Sequence, residues 1–200
     1  MGVSPRPILV DLQPGPVAES LVVVLGDRAR PRTARTPGEA VDVVASLDPA
    51  VLVVAPPRSA GRDDASDLAI HGDVVERTRW WCDAAAVTGA FVVFLGTSAV
   101  FDDHVSSGGD ERAPDEFTAP APTRMPGRAW RAAETIVAAG GGAVVRSGDS
   151  DPGGIADLVA WAAAARRPGT WHVGGPDLDD LHTRVVRDPG AGETPTSAPS

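Results

Sequence analysis

The chain has 200 residues, of which 42% are hydrophobic and 22% charged, and its formal net charge at pH 7 is −9. This length and composition predict one globular domain with a continuous hydrophobic core. The negative charge argues against a nucleic-acid-binding surface, which needs a basic stripe to displace counterions from the phosphates.

The first fifty residues predict a strand, an ambiguous segment, a loop and a helix. Residues 7–12 form an apolar run typical of a strand, and a Gln-Pro-Gly-Pro turn follows. Residues 17–25 combine an Ala-Glu-Ser sequence that favours a helix with three valines that favour a strand. Residues 28–36 hold four arginines and are predicted to be a solvated loop. Thr36-Pro37-Gly38-Glu39 then marks a helix start that combines an N-cap, a first-turn proline and a glutamate.

The rest of the chain continues the alternation of strands and helices. Apolar strands are predicted at 50–55, 90–95 and 143–146, with a short last strand at 170–173, and helices at 68–88, 127–139 and 155–166. Polar loops are expected at 56–67 and 102–123. This order predicts a three-layer α/β fold, a parallel sheet with helices on both faces. Ligands bind beyond the carboxyl ends of such strands, so the expected site positions are 11–15, 55–58, 96–98 and 147–149.

Few residues suggest metal, disulfide or membrane chemistry. The single cysteine, Cys82, excludes an internal disulfide and favours a reducing, cytoplasmic setting, and its apolar surroundings indicate a buried thiol. The four histidines lie far apart, so we predict no metal site. No apolar run approaches the roughly 18 residues of a membrane span, and 8–10 is too short for a signal-peptide core. We therefore expect no membrane partner.

Two motifs resemble a known enzyme family. The end of the predicted strand and the residues after it read GTSAVFDD at 96–103, which is similar to the S-T-D-Y-V-F-D-G pattern of extended short-chain dehydrogenase/reductases. The later helix start reads PGRAWRAAE at 126–134, where that family has Y-G-R-S-K-L-A-G-E. The nearest resemblance is to dTDP-4-dehydrorhamnose reductases and related sugar-nucleotide epimerases.

Weaker matches to the same family occur in the expected order at 47–55, 143–147, 156–158 and 169–176, so the resemblance spans about residues 7–178. It implies a Rossmann-like fold, NAD(P) as cofactor and a nucleotide-linked sugar as substrate. We expect a flexible start at 1–6, a single Rossmann-like domain at 7–185 and a disordered tail at 186–200. Only about six residues separate Gly148 from Ile155, where the family inserts most of its substrate lobe, so that lobe is predicted to be largely deleted.

The residues that carry the family's chemistry are missing. Its tyrosine is the general acid/base, and a lysine four residues on lowers the pKa of that tyrosine and binds the nicotinamide ribose. Pro126 and Trp130 stand at those two positions, and Val74 falls near the position of the family's asparagine. Thr97 is the one retained member of the catalytic set. The chain has no lysine, tyrosine or asparagine at any position. A GC-rich codon bias would also make these residue types scarce. It does not explain the loss of a residue that the family's catalysis requires.

The predicted cofactor loop has also lost most of its glycines. The family's G-x-x-G-x-x-G loop brings backbone amides and a helix start close to the pyrophosphate. Here Leu12, Gly15 and Ala18 stand at the glycine positions, with a proline on either side of Gly15. Proline removes an amide donor and added Cβ atoms fill phosphate space, which argues against tight dinucleotide binding. The positions left to contact a dinucleotide are Gly15, Ala55, Gly96 and Ser147.

Three functions follow from these observations. The one that we favour is a degenerate, non-catalytic Rossmann protein that acts as a binding or interaction subunit. The second is an active NAD(P)-dependent reductase or epimerase of atypical mechanism, with Asp102, Asp103 or Glu134 as base; a loop position or a salt bridge is the commoner role for these carboxylates. The third is a subunit that borrows a site from, or stabilises, a true enzyme, as a homodimer or a heteromeric partner.

The tryptophans bear on this choice. On a helix, Trp80 and Trp81 point about 100° apart, so one is expected in the core and the other near the surface, where an indole can anchor an interface. All three, Trp130 included, could instead simply fill core volume. If Trp130 points inward, we predict that its ring fills the space of the family's nicotinamide.

Overall fold

The computed structural model describes residues 6–56, 66–105, 119–147 and 151–173. At residue 67 and at 102–105 it describes the backbone alone. Within these ranges six strands form one sheet: β1 Ile8–Asp11, β2 Ala29–Pro31, β3 Val51–Val54, β4 Phe91–Thr97, β5 Ala143–Ser147 and β6 Gly169–Val173. The helices are α1 Pro16–Leu25, α2 Pro37–Leu47, α3 Asp67–His71, α4 Arg77–Thr88, α5 Met125–Ala139 and α6 Pro152–Ala165. A π-helical turn at Gly72–Glu76 joins α3 to α4, and 3₁₀ segments occupy Gly26–Arg28 and Ser98–Val105.

All five strand pairings are parallel, in the order β2-β1-β3-β4-β5-β6. The predicted parallel α/β class is therefore confirmed. The order reverses between β1 and β3, which leaves a crevice beyond the carboxyl ends of these two strands, where ligands of open α/β sheets bind. Asp11 lies level with Val54 across this pair, and Thr97 lies level with Ser147 across β4 and β5.

Two hydrophobic cores hold the three layers together, because alternate residues of each strand point to opposite faces. One core contains Leu9, Leu52 and Phe94 and packs against α2, α4 and α5. The other contains Val10 and Val53 and packs against α1 and α6. Strands β1, β3 and β5 are buried throughout, as their continuous apolar sequences predicted.

The structure corrects several boundaries. The prediction of a loop at 28–36 is wrong in part, because this segment contains the edge strand β2. The strand was not recognisable in the sequence, since its three residues include an arginine and a proline and it pairs with β1 alone. The ambiguous segment 17–25 is a helix, and α5 begins at Met125, so that Pro126 lies in its first turn. The helix predicted at 68–88 is interrupted by the π turn. Most of the predicted loops at 56–67 and 102–123, the end of the predicted domain at 174–185 and the predicted tail at 186–200 lie outside the described residues.

No helix in the described ranges is both long and apolar enough to cross a lipid bilayer.

The start of α2 has the predicted cap. Thr36 Oγ1 accepts a hydrogen bond of 3.2 Å from the Glu39 amide, and Glu39 Oε2 accepts one of 2.7 Å from the Arg35 amide. We expect Thr36→Ala to lower the free energy of unfolding by about 1 kcal/mol in urea denaturation, since a first-turn amide loses its acceptor. Thr36→Ser keeps the hydroxyl and is the control; equal losses in both variants would contradict this role of the hydroxyl.

Candidate functional site

The carboxyl end of β1 carries a buried ion pair. Asp11 is 2% exposed, and its carboxylate accepts two hydrogen bonds from Arg77, 2.6 Å from Nη2 and 3.0 Å from Nε. The indole Nε1 of Trp81 donates a third bond to the same carboxylate. Sequence reasoning placed Asp11 in a candidate ligand segment but missed both partners.

Helix α4 provides both partners because Arg77 and Trp81 are four residues apart and therefore lie on one face of the helix. Trp81 is fully buried, and Trp80 is half-buried and packs against the same core, so these side chains fill core volume and Trp80 is not an exposed indole. The i, i+4 spacing was visible in the sequence. The rotation of α4 that turns this face toward Asp11 is set after the π-helical turn, and it was not visible in the sequence.

Arg77 also fastens the segment that follows β2. Its Nη2 donates to Thr33 Oγ1 and its Nη1 to the carbonyl oxygen of Ala34, both at 2.8 Å. One guanidinium thus ties the end of β1 to the residues after β2, on the side of the crevice where a Rossmann protein holds the ribose of its dinucleotide. We call this cluster of Asp11, Arg77, Trp81 and Thr33 the β1 clamp.

Burial raises the pKa of Asp11 above its ordinary value, and the hydrogen bonds and charge of Arg77, with smaller contributions from Trp81 and Thr33, partly offset this shift. The carboxylate therefore depends on Arg77 to stay ionised in the interior. A carboxylate held in this way is a structural anchor and is not positioned to exchange protons with a ligand.

The loop after β1 offers little to a phosphate. Gly15 is the N-cap of α1 without a side-chain cap, and a Cβ there would meet no atom within 4 Å, so the space beside it is open. Pro16 supplies no amide, however, and Glu19 adds a negative charge in the first turn. A carboxylate at the positive end of the helix dipole opposes an anionic ligand. Leu12 and Ala18, at the lost glycine positions, are half-buried.

Pro126 and Trp130, which the motif matches to the family's tyrosine and lysine, lie on α5. Pro126 is in the first turn, where proline's fixed φ and missing amide suit a helix start. Trp130 is 6% exposed, and its ring packs against Phe94 with centroids 5.8 Å apart. The Trp130 ring thus points into the core, and that it fills the space of the family's nicotinamide stays a prediction. Val74, at the asparagine position, is fully buried in the same core.

Thr97, which the motif matches to the family's catalytic hydroxyl, ends β4 and is half-buried. Its Oγ1 accepts a hydrogen bond of 3.3 Å from the amide of Ala99, which stabilises the turn into the 3₁₀ segment. The hydroxyl lies at the carboxyl edge of the sheet, where it was predicted.

A second buried ion pair lies beside the ends of β4, β5 and β6. Glu134 on α5 is 1% exposed and Arg146 on β5 is 3% exposed. Arg146 donates to both carboxylate oxygens of Glu134, 2.7 Å from Nε and 2.8 Å from Nη2. Arg131 adds a longer bond of 3.3 Å. Of the two roles considered for Glu134, a catalytic base and a salt-bridge partner, the contacts match the salt-bridge partner.

Arg146 connects this pair to the edge strand. Its Nη1 lies 3.1 Å from His172 Nε2, and the ring of Phe101 lies 5.0 Å from its Cζ. Because a guanidinium can only donate, His172 Nε2 is the acceptor, and a neutral ring then carries its proton on Nδ1. The side chains of Asp102 and Asp103, the other two proposed bases, lie outside the described part of the structure.

The four positions proposed to contact a dinucleotide fall into two groups. Gly15 and Ala55 flank the β1–β3 crevice, and the Ala55 amide donates to the Asp11 carbonyl at 3.0 Å. Gly96 and Ser147 lie farther along the edge, where Ser147 Oγ donates to the Gly96 carbonyl at 3.1 Å. A Cβ at Gly96 would approach Glu134 Oε1 to 3.3 Å, so this glycine makes room for the buried carboxylate.

Among the described residues, the remaining reactive side chains give no further site. Burial, with a smaller contribution from Asp83, raises the pKa of Cys82 to about 12, so its thiol is protonated and unreactive at neutral pH. Within the ranges that the structure describes, no three histidine, cysteine or carboxylate side chains come together as metal ligands.

Comparison with known proteins finds relatives by structure alone. No protein-family model matches the chain, and no curated protein matches its sequence. A dTDP-4-dehydrorhamnose reductase from Clostridium acetobutylicum is 17% identical with a TM-score of 0.71, over 90% of this chain and 79% of that one. The Bacillus anthracis enzyme, solved in complex with NADP, is 16% identical with a TM-score of 0.69, over 91% and 81%.

A UDP-N-acetylglucosamine 4-epimerase from Bacillus cereus is also similar, at 16% identity and a TM-score of 0.64, over 84% of this chain and 78% of that one. The suspected likeness to sugar-nucleotide reductases and epimerases is thus confirmed at the level of the fold. At such low identity the likeness extends to the architecture and not to the chemistry of the site.

Proposed function

We propose that this chain is a non-catalytic Rossmann-fold protein, derived from the sugar-nucleotide reductases and epimerases, that acts as a binding or interaction subunit. The observation that carries the proposal is the pair of positions on α5: Pro126 lies in the first turn of the helix and Trp130 is packed in the core. A reductase of this type needs a phenol and a cation there, and neither residue can supply a proton near pH 7.

The buried acids support the same conclusion. Among the described residues two carboxylates are buried, Asp11 and Glu134, and each accepts two hydrogen bonds from one arginine. A general base must have a lone pair available for the substrate's proton at its working distance. Carboxylates held by a guanidinium in the interior serve to fix the strand ends.

The cofactor of the fold family does not fit these residues well. Two of the three glycine positions expected between residues 12 and 18 hold Leu12 and Ala18. Glu19 opposes a pyrophosphate, and Trp130 occupies core volume. Arg77 is fully engaged with the strand ends and adds no positive charge for a phosphate. These residues therefore argue against NAD(P) as a cofactor of this chain. The cytoplasm and a homodimeric or enzymatic partner remain the expected setting.

The alternative is an active NAD(P)-dependent reductase or epimerase of atypical mechanism. The open space beside Gly15 and the Thr97 hydroxyl at the sheet edge are what favour it. Both readings predict the same fold, so only ligand binding and turnover separate them.

Calorimetric titration with NAD, NADP and their reduced forms, together with a panel of nucleotide-linked sugars, tests the proposal. We expect no dinucleotide to bind with micromolar affinity, and no oxidation of NADPH or NADH with a nucleotide-linked keto-sugar. Trp130→Lys, alone or with Pro126→Tyr, should not create activity, because the clamp and loop remain unsuited to the cofactor. Turnover by the purified chain that disappears in Thr97→Ala would overturn the proposal; turnover unchanged in Thr97→Ala would indicate a contaminant.

A further inference from the structure

The short strand β2 lies at one end of the sheet, and β1 is its one neighbour among the described strands. An edge strand offers its outward backbone groups to any further strand, and such pairing leads to aggregation or to the exchange of strands between chains. On its inner side β2 bonds to β1, where the Arg32 amide donates to the Val10 carbonyl oxygen at 3.1 Å. Because successive residues of a parallel strand bond to opposite sides, the backbone groups of Ala29 and Pro31 point away from β1.

Neither outward position of β2 has an amide hydrogen available to a new strand. The Ala29 amide donates to the Gly26 carbonyl oxygen in the preceding 3₁₀ turn. Pro31 has no amide hydrogen, and proline is tolerated in an edge strand where its nitrogen faces away from the sheet. The outer side of β2 therefore presents no free hydrogen-bond donor of the backbone.

Both outward carbonyl oxygens of β2 accept hydrogen bonds from arginine side chains. Arg30 Nη1 donates to the Ala29 carbonyl at 2.8 Å and also to the Asp27 carbonyl at 2.6 Å. Arg32 Nη1 donates to the Pro31 carbonyl at 2.7 Å. Each guanidinium folds back onto the strand that carries it, so the amide of an incoming strand would have to take the place of that guanidinium.

We propose that Arg30, Pro31 and Arg32 close the outer edge of β2 against the addition of a strand from a second chain. An incoming strand would have to displace both guanidiniums, and its own carbonyl oxygens would lose water without meeting a donor. A partner in the interaction role proposed above therefore binds to another part of the molecule.

The charge of this segment strengthens the block. Residues 27–35 contain one acid, Asp27, and four arginines, which are Arg28, Arg30, Arg32 and Arg35. All four arginines are exposed, and none of them forms an ion pair with a described carboxylate. Two copies that paired through β2 would bring these like charges together, which is destabilising. The bonds to the outward carbonyls come from Arg30 and Arg32, so the other two arginines separate the effect of charge from that of the bonds.

Sedimentation velocity of the full chain over a range of concentrations, with infrared spectroscopy of the associated fraction, is the test. The main variant combines Arg30→Thr, Pro31→Val and Arg32→Thr, which removes the bonds to the carbonyls and introduces an outward amide on residues that favour strands. The control combines Arg28→Thr, Pro31→Val and Arg35→Thr. It loses the same two positive charges but keeps both bonds from arginine to the edge carbonyls.

We expect the main variant to associate at least about tenfold more strongly than the control, because several strand hydrogen bonds, each modest in free energy, then become available. Its associated form should show the infrared signal of strand pairing between chains, which the parent chain and the control should lack. Equal association of the two variants, or a main variant that associates no more strongly than the parent chain, would overturn the proposal. Association through any other surface is the same in both variants and leaves the comparison unchanged.

A second pair of variants keeps the test decisive if the triple substitution impairs folding, which the urea midpoint reports. Arg30→Thr with Arg32→Thr retains Pro31, and Arg28→Thr with Arg35→Thr is its control. The first of these should again associate more strongly, and no difference between the folded proteins would contradict the block. Turnover and dinucleotide titration do not bear on these outcomes, so the role of the two arginines and the lack of catalysis can fail separately.

Discussion

Replacing Arg77 by methionine is expected to lower the free energy of unfolding at pH 7 by about 3–5 kcal/mol, as for other buried ion pairs that lose one partner. The physical reason is that Asp11, 2% exposed, would lose the guanidinium that is the main stabiliser of its charge in the interior, and the contributions of Trp81 and Thr33 are smaller. The loop at Thr33 and Ala34 would also lose its two bonds to the guanidinium. Urea denaturation followed by circular dichroism measures the loss.

The pH dependence of this loss identifies its cause. Burial raises the pKa of Asp11 above 3.8, and removing Arg77, which lowers it, raises it further. When the pKa of a carboxyl is higher in the folded chain than in the unfolded chain, the group stabilises the fold at pH values below its unfolded-state pKa. This stabilisation is lost as the pH rises through its folded-state pKa. The difference between Arg77→Met and the parent chain should therefore be largest at neutral pH and shrink toward acid pH.

Two further variants make the prediction sharp. Asp11→Asn combined with Arg77→Met should recover part of the stability, because no unpaired charge is then buried. Arg79→Met, on the same helix with a 53% exposed side chain, should change stability by no more than about 1 kcal/mol. A loss in Arg77→Met that is independent of pH and not relieved by Asp11→Asn would contradict the role assigned to the β1 clamp.

The second large effect is expected at Arg146. Arg146→Met should destabilise the fold by about 3–5 kcal/mol at pH 7, since Glu134 would remain buried with only the 3.3 Å bond to Arg131. The loss includes the bond to His172, which fastens the edge strand β6 to its neighbour. Chemical denaturation gives the overall loss, and amide hydrogen exchange should show β6 opening most readily.

The surface arginine of the same cluster provides the control. Arg131 is 45% exposed in its side chain, and Arg131→Met should cost no more than about 1 kcal/mol. Substituting Glu134→Met together with Arg146→Met should restore much of the stability, because neither charge is then left unpaired. If Arg131→Met were as damaging as Arg146→Met, the bidentate pair would not be the main anchor of these strand ends.

These two clusters also bear on function. In a working reductase, polar residues at the carboxyl edge must be free for cofactor and substrate. Here the buried carboxylates at that edge are engaged by Arg77 and Arg146, and Trp130 and Val74 are part of the core. The edge that would carry catalysis contributes to stability, which agrees with the proposed non-catalytic role.

Much of the fold could be read from the sequence because its signals are local. The apolar runs that became β3, β4 and β5 are buried on both faces, which only a covered parallel sheet provides. The cap at Thr36 was likewise visible, since all of its partners lie within four residues. The lost tyrosine and lysine positions were found by motif, and the structure places both residues on α5.

Other features depended on contacts between residues far apart in the chain. β2 exists because β1 offers it a pairing edge, and its own three residues give no signal. The pairings of Asp11 with Arg77 and of Glu134 with Arg146 were invisible for the same reason. The sequence by itself determined which residues prefer strand or helix and which reactive groups are missing, because these depend on side-chain type and near neighbours. The tertiary structure alone decided which charges meet in the interior, because burial and pairing depend on how distant segments pack.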